Sequence, residues 1–363
     1  MRINPDKEKI LFTHVYDKGT LKAEVEEQRL EMRELIRSST GVLAAELDAP
    51  LVAKNAKFYI GTGKVDQLRR EADRVGAVTF VFSVDLSPSQ TRNLEQEFLR
   101  TVIDRTGLIL DIFARRAKTR EGKLQVELAQ NMYLLPRLDG RGVFLSRLGG
   151  GVGTRGPGEQ KLEVDRRKIR QRISRLKEEL EGLREHRSRI RQQRDRKQFT
   201  RAALVGYTNA GKSTLLNSLT KSEVWTKDLM FATLDPTTRN LYLANGNQVL
   251  LTDTVGMLAD LPHDLIEAFQ ATLEEIQEAD LIVHVIDSSH SGYERQIHAV
   301  ELEMDRMGLR HRRQIMVFNK IDLLSEATKK GLEISYPDAV FISATTRERL
   351  EDLREKIRDV VKT

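Results

Sequence analysis

The stretch from Gly206 to Thr214, GYTNAGKST, satisfies G-x-x-x-x-G-K-S through Gly206, Gly211, Lys212 and Ser213. It follows the apolar run AALV and opens STLLNSLT, so a strand delivers the loop and a helix leaves it. That is the context in which this spacing carries chemistry. Glycines let consecutive backbone N–H groups turn inward around phosphates, and the helix N-terminus adds positive potential. In such a loop Asn209, Ala210, Gly211 and Thr214 form the cradle and Lys212 reaches the outer phosphates. The Ser213 hydroxyl ligates Mg²⁺. A glycine turn that binds nothing is the competing reading, and the agreement of strand, loop and helix weighs against it.

Asn319-Lys320-Ile321-Asp322 follows the strand-like IMVF. The Asp322 carboxylate can accept from the ring N–H and the exocyclic amine of guanine, where adenine offers neither. An unpaired carboxylate in that position costs more than one lost neutral hydrogen bond. NKxD alone is weak, since a capped helix start also explains it; behind a P-loop it is specific. Asp253-Thr254-Val255-Gly256 lies between the two motifs, after QVLLT. There Asp253 holds Mg²⁺ through water and the Gly256 N–H meets the γ-phosphate. FATLDPTTR (231–239) supplies a threonine to close over the nucleotide: Thr233 is the choice, with Thr237 and Thr238 as rivals. Ser343-Ala344 fits the loop that touches guanine. The expected catalytic set is Lys212, Thr233 and Gly256, and the expected metal set is Ser213, Thr233 and Asp253.

The elements that must position these residues form an α/β pattern with a helical interruption. KFYIG (57–61) and TFVFSV (79–84) read as strands, KVDQLRREADRVG (64–76) as a helix ending at Gly76, and SPSQTRNLEQEFL (87–99) as a helix capped by Ser87. TVIDRT (101–106) reads as a short strand and LILDIFARRA (108–117) as a helix. GKLQVELAQNMYLLPRL (122–138) has apolar residues at helical spacing. LGGGVGTRGPGE (148–159), with six glycines in twelve residues, is expected to be irregular. Leu162, Ile169, Leu176, Leu183 and Ile190 then recur every seven residues, a two-helix seam expected to form an antiparallel hairpin with helix 122–136. From about residue 200 strands and helices alternate again as a doubly wound, mostly parallel domain, with Asn245-Gly246 signalling a hairpin. The expected division is 1–120, 121–199 and 200–363.

Composition narrows the rest. The 363 residues contain no cysteine, which excludes disulfides and favours a cytoplasmic address. No signal peptide or membrane-spanning run is visible. Net charge is +6, yet residues 160–201 alone carry sixteen Lys and Arg against seven Asp and Glu, so the remainder is slightly acidic. A solvated charged helix is the plain reading of that segment; a polyanionic partner is the functional one.

The order P-loop, threonine loop, DTVG, NKID, SA is similar to that of the translation-factor-like GTPases. Upstream, FYIGTGKVDQL, IDRTGLILDIFARRAKTREGKLQVELAQNMYLLPRL and GVGTRGPGEQKLEVDRR resemble the HflX family of ribosome-associated GTPases, over about residues 20 to 363. The resemblance implies a small N-terminal α/β domain, a helical hairpin and a GTPase domain acting on the large ribosomal subunit, in some members splitting stalled ribosomes, and a monomer when free. The basic helix around Arg166–Arg201 and the loop holding Arg155 become candidates for rRNA contact. No Phe, Tyr or Trp lies between Phe144 and Phe199, so phosphate and shape contacts are expected there rather than base stacking.

Three departures qualify the resemblance. Met257 stands where many GTPases place a water-orienting glutamine, so slow intrinsic, ribosome-stimulated hydrolysis is expected. Asn209 is a candidate K⁺ ligand between the phosphates. The further C-terminal domain of some members is not seen in this sequence. The alternative function is a nucleotide-regulated RNA-binding or scaffold module with incidental hydrolysis.

Overall fold

The structure is a computed structural model that describes residues 8–138, 157–195, 199–220, 230–231, 233–244, 246–258 and 270–362. Side chains of residues 157–162, 186–195, 270–273 and 362 fall outside the description. The chain divides into two compact units. One holds residues 1–115 and 123–180; the other holds 116–122 and 181–363.

In the first unit β1 (Lys9–Asp17), α1 (Lys22–Ser38) and β2 (Val42–Leu51) precede every element that the sequence pattern predicts. They are followed by α2 (Thr62–Val75), β3 (Thr79–Phe82), α3 (Pro88–Phe98), β4 (Thr101–Ile103), α4 (Arg105–Arg116) and α5 (Arg120–Arg137). The four strands form one parallel sheet in the order β2-β1-β3-β4. Its core gathers Leu11, Ile60, Leu68, Phe80, Phe82 and Leu94, with the Phe80 and Phe98 rings stacked 4.0 Å apart. Gly76 closes α2 in the left-handed conformation. Ser87 caps α3 ahead of Pro88, as the sequence predicts, and Gln90 completes a reciprocal capping box that the sequence reading does not include.

Three expectations need correction. KFYIG is a turn, not a strand: Asn55 Oδ1 accepts from the Lys57 and Phe58 amides, and Tyr59 has φ +67°. The turn buries Phe58 and Ile60, so two alternate apolar residues imitate a strand. TVIDRT is a strand only to Ile103. Asp104 accepts from the Gly107 amide and starts α4 three residues before the expected position. Pro157, expected to be irregular, opens the long α6 (Pro157–Asp195), where a missing N–H costs nothing. The remainder of the glycine-rich stretch, with Arg155, lies outside the described residues. In α6 Leu176 is buried and Ile169, Ile173, Leu180 and Leu183 are half-buried, following the seven-residue repeat. Arg172 forms a two-pronged ion pair with Glu127 of α5, at 2.6 and 2.7 Å.

The second unit contains β5 (Thr200–Val205), α7 (Lys212–Thr220), β6 (Thr237–Tyr242), β7 (Gln248–Asp253), α8 (Gln270–Gln277) and β8 (Leu281–Asp287). After these come α9 (Tyr293–Arg306), β9 (Arg313–Asn319), a 3₁₀ turn (Ile321–Leu323), α10 (Glu326–Ser335), β10 (Val340–Phe341) and α11 (Leu350–Lys362). The sheet order is β10-β9-β8-β5-β7-β6, parallel except for the β6–β7 hairpin. Asn245 of that hairpin lies outside the described residues, and Gly246 has φ +82°. The chain winds to one side of β5 and then to the other. The loop after β5 therefore leaves at the point where strand order reverses, the place where open α/β sheets bind ligands.

Candidate functional site

β5 is buried along Ala202–Val205 and feeds a loop tied to the Lys212 side chain and to Met257. Lys212, at the start of α7, is buried and its Nζ donates to the carbonyls of Gly206 (3.0 Å) and Tyr207 (2.8 Å). Burial lowers its pKa to about 8, against the attraction of Asp253. Asn209 and Gly211 have φ +62° and +94°. A Cβ on Gly211 would also overlap the Asn319 amide, so only glycine serves there. The cleft above the loop is lined by Asn209, Lys212, Ser213, Thr214, Phe231, Thr233 and Gly256, among others.

Ser213, Thr233 and Asp253 meet beside this cleft. Ser213 Oγ lies 2.7 Å from Thr233 Oγ1 and donates to Asp253 Oδ2 at 2.6 Å. The rival threonines are elsewhere: Thr238 pairs with Thr252 at 2.9 Å, and the Thr237 hydroxyl turns to the Asp235 carbonyl. Asp253 is wholly buried, and its Oδ1 has no hydrogen-bond partner among the described residues. Burial raises its pKa, against the pull of Lys212 and the hydrogen bonds from Ser213 and Thr233. Two hydroxyls and a carboxylate with an orphaned oxygen are an all-oxygen set. They suit Mg²⁺, which takes one or two protein ligands and keeps its waters.

The DTVG loop lies against the P-loop. Thr254 Oγ1 donates to the Leu204 carbonyl at 2.7 Å. The Thr208 amide donates to Met257 O (2.9 Å) and the Met257 amide to Gly206 O (3.1 Å). A Cβ on Gly256 would sit 2.8 Å from Thr208 Cα, so the approach itself requires glycine. The Met257 side chain is buried.

Asn319, at the end of β9, is buried and joins two loops. Its Nδ2 donates to the Ala210 carbonyl and its Oδ1 accepts from the Ala344 amide, each at 2.9 Å. Ser218 of α7 donates to the Ala344 carbonyl at 2.7 Å. Ser343 is buried and its Oγ accepts from the Thr346 amide. Lys320, left-handed at φ +66°, pairs with Asp287 at 2.6 Å, and Asp322 is exposed on the 3₁₀ turn. The NKID and Ser-Ala residues do not line the cleft; Asn319 links them to it. Sequence reasoning misses Phe231 and Asp287. Phe231 lines the cleft in a left-handed conformation that its type gives no hint of, and Asp287 at the end of β8 shows no local sign of its partner.

Comparison with known proteins agrees with this geometry. Three family models match in succession: GTP-binding GTPase N-terminal (26–114), GTP-binding GTPase Middle Region (116–194) and 50S ribosome-binding GTPase (201–320). The chain is 45% identical over 339 residues to the GTPase HflX of Alkalihalophilus pseudofirmus, covering 93% of this chain and 79% of that one. It is 41% identical over 355 residues to the GTPase HflX of Escherichia coli, covering 97% and 82%. A crystal structure of a GTP-binding protein from Sulfolobus solfataricus in complex with GDP is similar at 26% identity and TM-score 0.51, covering 98% of this chain and 99% of that one. Among the described residues no helix is long and apolar enough to cross a membrane. With a P-loop, a hydroxyl–carboxylate cluster beside it and the NKID loop tied to it through Asn319, and with relatives of this identity along nearly its whole length, the chain belongs to the HflX family of GTPases.

Proposed function

We propose that this GTPase is a switch that binds the large ribosomal subunit through rRNA and splits or rescues stalled ribosomes in the cytoplasm. The contact among Ser213, Thr233 and Asp253 carries the switch reading, because it joins the P-loop, the threonine loop and the DTVG strand at one cation site. The ribosomal reading is supported by the family model described as a 50S ribosome-binding GTPase. We assign residues 1–120 and 121–199 to docking and 200–363 to the nucleotide. The chain works as a monomer when free.

In this reading Gly206, Asn209, Ala210, Gly211 and Thr214 cradle the phosphates. Lys212 leaves its two carbonyl acceptors for phosphate oxygens. Ser213 and Thr233 would hold Mg²⁺ directly and Asp253 would hold it through water; the ion would supply positive charge to the phosphates. Gly256 offers its N–H to the γ-phosphate. Asp322 reads guanine beside Ser343 and Ala344, with Asn319 and Lys320 shaping the loop. Met257 is buried and its backbone is committed to Gly206 and Thr208, so it orients no water. Intrinsic hydrolysis is slow and the ribosome completes the site. Asn209 would supply an oxygen to K⁺. Exposed arginines of α6, such as Arg170 and Arg175, together with Arg166 and Arg201, contact rRNA phosphates.

GTP turnover by the full chain, with and without purified large subunits, tests this. Strong stimulation is expected. Unchanged turnover, with equal subunit affinity in the GTP and GDP states, would replace the switch by a scaffold.

A further inference from the structure

The loop that carries Thr233 is anchored from outside its own neighbourhood. Two residues after Thr233, the Asp235 carboxylate faces the segment that opens α5. Oδ2 accepts from the amides of Lys118 (2.9 Å) and Thr119 (3.0 Å), and Oδ1 accepts from the Thr119 hydroxyl. Thr119 Oγ1 in turn accepts from the Gly122 amide at 2.9 Å. All of these residues lie in the second unit, although 116 positions separate Thr119 from Asp235. The segment offers donors that a helix start leaves unsatisfied, and its dipole favours a carboxylate. Gly122 is buried against the same group: a Cβ there would overlap Asp235 Oδ1.

Phe231 and Leu234 are buried, and the β6–β7 ladder begins only at Thr237. Asp235 is a polar fixture between the buried pair and the sheet. Thr233, half-buried, has its hydroxyl at the cation site one residue before Leu234.

We infer that Asp235 is a positioning residue for the GTP-bound state: by docking on Lys118 and Thr119 it holds Thr233 where the γ-phosphate and cation need it. This rests on the reading of Thr233 given above. Asp235 is not among the residues that line the cleft, so it should act on GTP through Thr233 and leave GDP, which lacks the γ-phosphate, almost unaffected.

The test uses the full chain with Mg²⁺ and measures affinity for GDP and for a non-hydrolysable GTP analogue, with folding checked by thermal melting. Asp235→Ala should weaken the analogue about tenfold, the scale of a charge-assisted hydrogen bond, and change GDP less than about twofold. Gly122→Ala, which displaces the carboxylate without removing it, should do the same. Asp235→Asn, which keeps an acceptor, should recover part of the loss. Thr233→Ala run in parallel separates the two claims. If Thr233→Ala lowers the analogue-to-GDP ratio while Asp235→Ala and Gly122→Ala leave it at the wild-type value, the inference is wrong and the Thr233 reading stands. If Thr233→Ala leaves the ratio unchanged as well, the Thr233 reading fails and the inference falls with it.

Discussion

Replacing Asn319 by alanine should cost folding stability before it costs guanine recognition. The side chain is buried and satisfies two buried backbone groups, the Ala210 carbonyl and the Ala344 amide. Leaving one buried polar group unpaired costs about 1–3 kcal/mol, so two cost about 2–6 kcal/mol if neither relaxes to water. Taking about 3 kcal/mol, a domain of this size should melt about 6–12 °C lower. Asp322, two residues after Lys320, is exposed, and Asp322→Asn should move the nucleotide-free midpoint by no more than about 1–2 °C. Its loss should appear only on adding GDP, as a vanished ligand-induced rise in midpoint. The assay is thermal unfolding of both variants and the parent, nucleotide-free and with excess GDP. If nucleotide-free Asn319→Ala melts with the parent, or if Asp322→Asn melts as low as Asn319→Ala, the division of labour argued from burial is refuted.

Asp253→Asn should raise the nucleotide-free melting temperature and abolish Mg²⁺-dependent turnover, because it removes a buried charge that only the cation fully satisfies; a lowered midpoint counts against this. Lys212 has a folded-state pKa of about 8, below its ordinary value of 10.5, so the unfolded chain binds more protons between those values. Stability of the nucleotide-free protein should therefore rise as pH climbs from about 8 to 10.5, in part masked by other lysines, and Lys212→Met should remove that increment in melts across the range. Phosphates favour the ammonium, so GDP binding near pH 8.5 should take up protons, which calorimetry in buffers of different ionisation enthalpy will register. Turnover should be faster in K⁺ than in Na⁺ at equal ionic strength; equal rates would remove Asn209 as a cation ligand.

The nucleotide motifs are legible because each is a short contiguous string. Their cross-chain partners are not. Asp287 lies 33 positions from Lys320, and Thr119 lies 116 from Asp235, so neither pair leaves a local pattern. Parallel strands gave a second difficulty. β1 is buried from Ile10 to Val15, including Thr13 and His14, and therefore shows no alternation of polar and apolar residues. KFYIG erred in the opposite direction, since a turn that tucks away Phe58 and Ile60 has the period of a strand. The C-terminal end of α2 and the start of α3 are readable because Gly76, Ser87 and Pro88 act through neighbours in sequence.

The seven residues 116–122 belong with the nucleotide-binding unit while the chain on both sides belongs with the other. A fragment beginning at residue 200 would keep every nucleotide motif and the whole six-stranded sheet. It would leave the Asp235 carboxylate without Lys118 and Thr119. Modular dissection at the boundary that sequence families suggest thus severs a covalently distant part of the domain it aims to isolate. Rate constants from such a fragment would describe a threonine loop freed of one anchor, and grafting this GTPase onto another scaffold would require carrying the 116–122 segment with it.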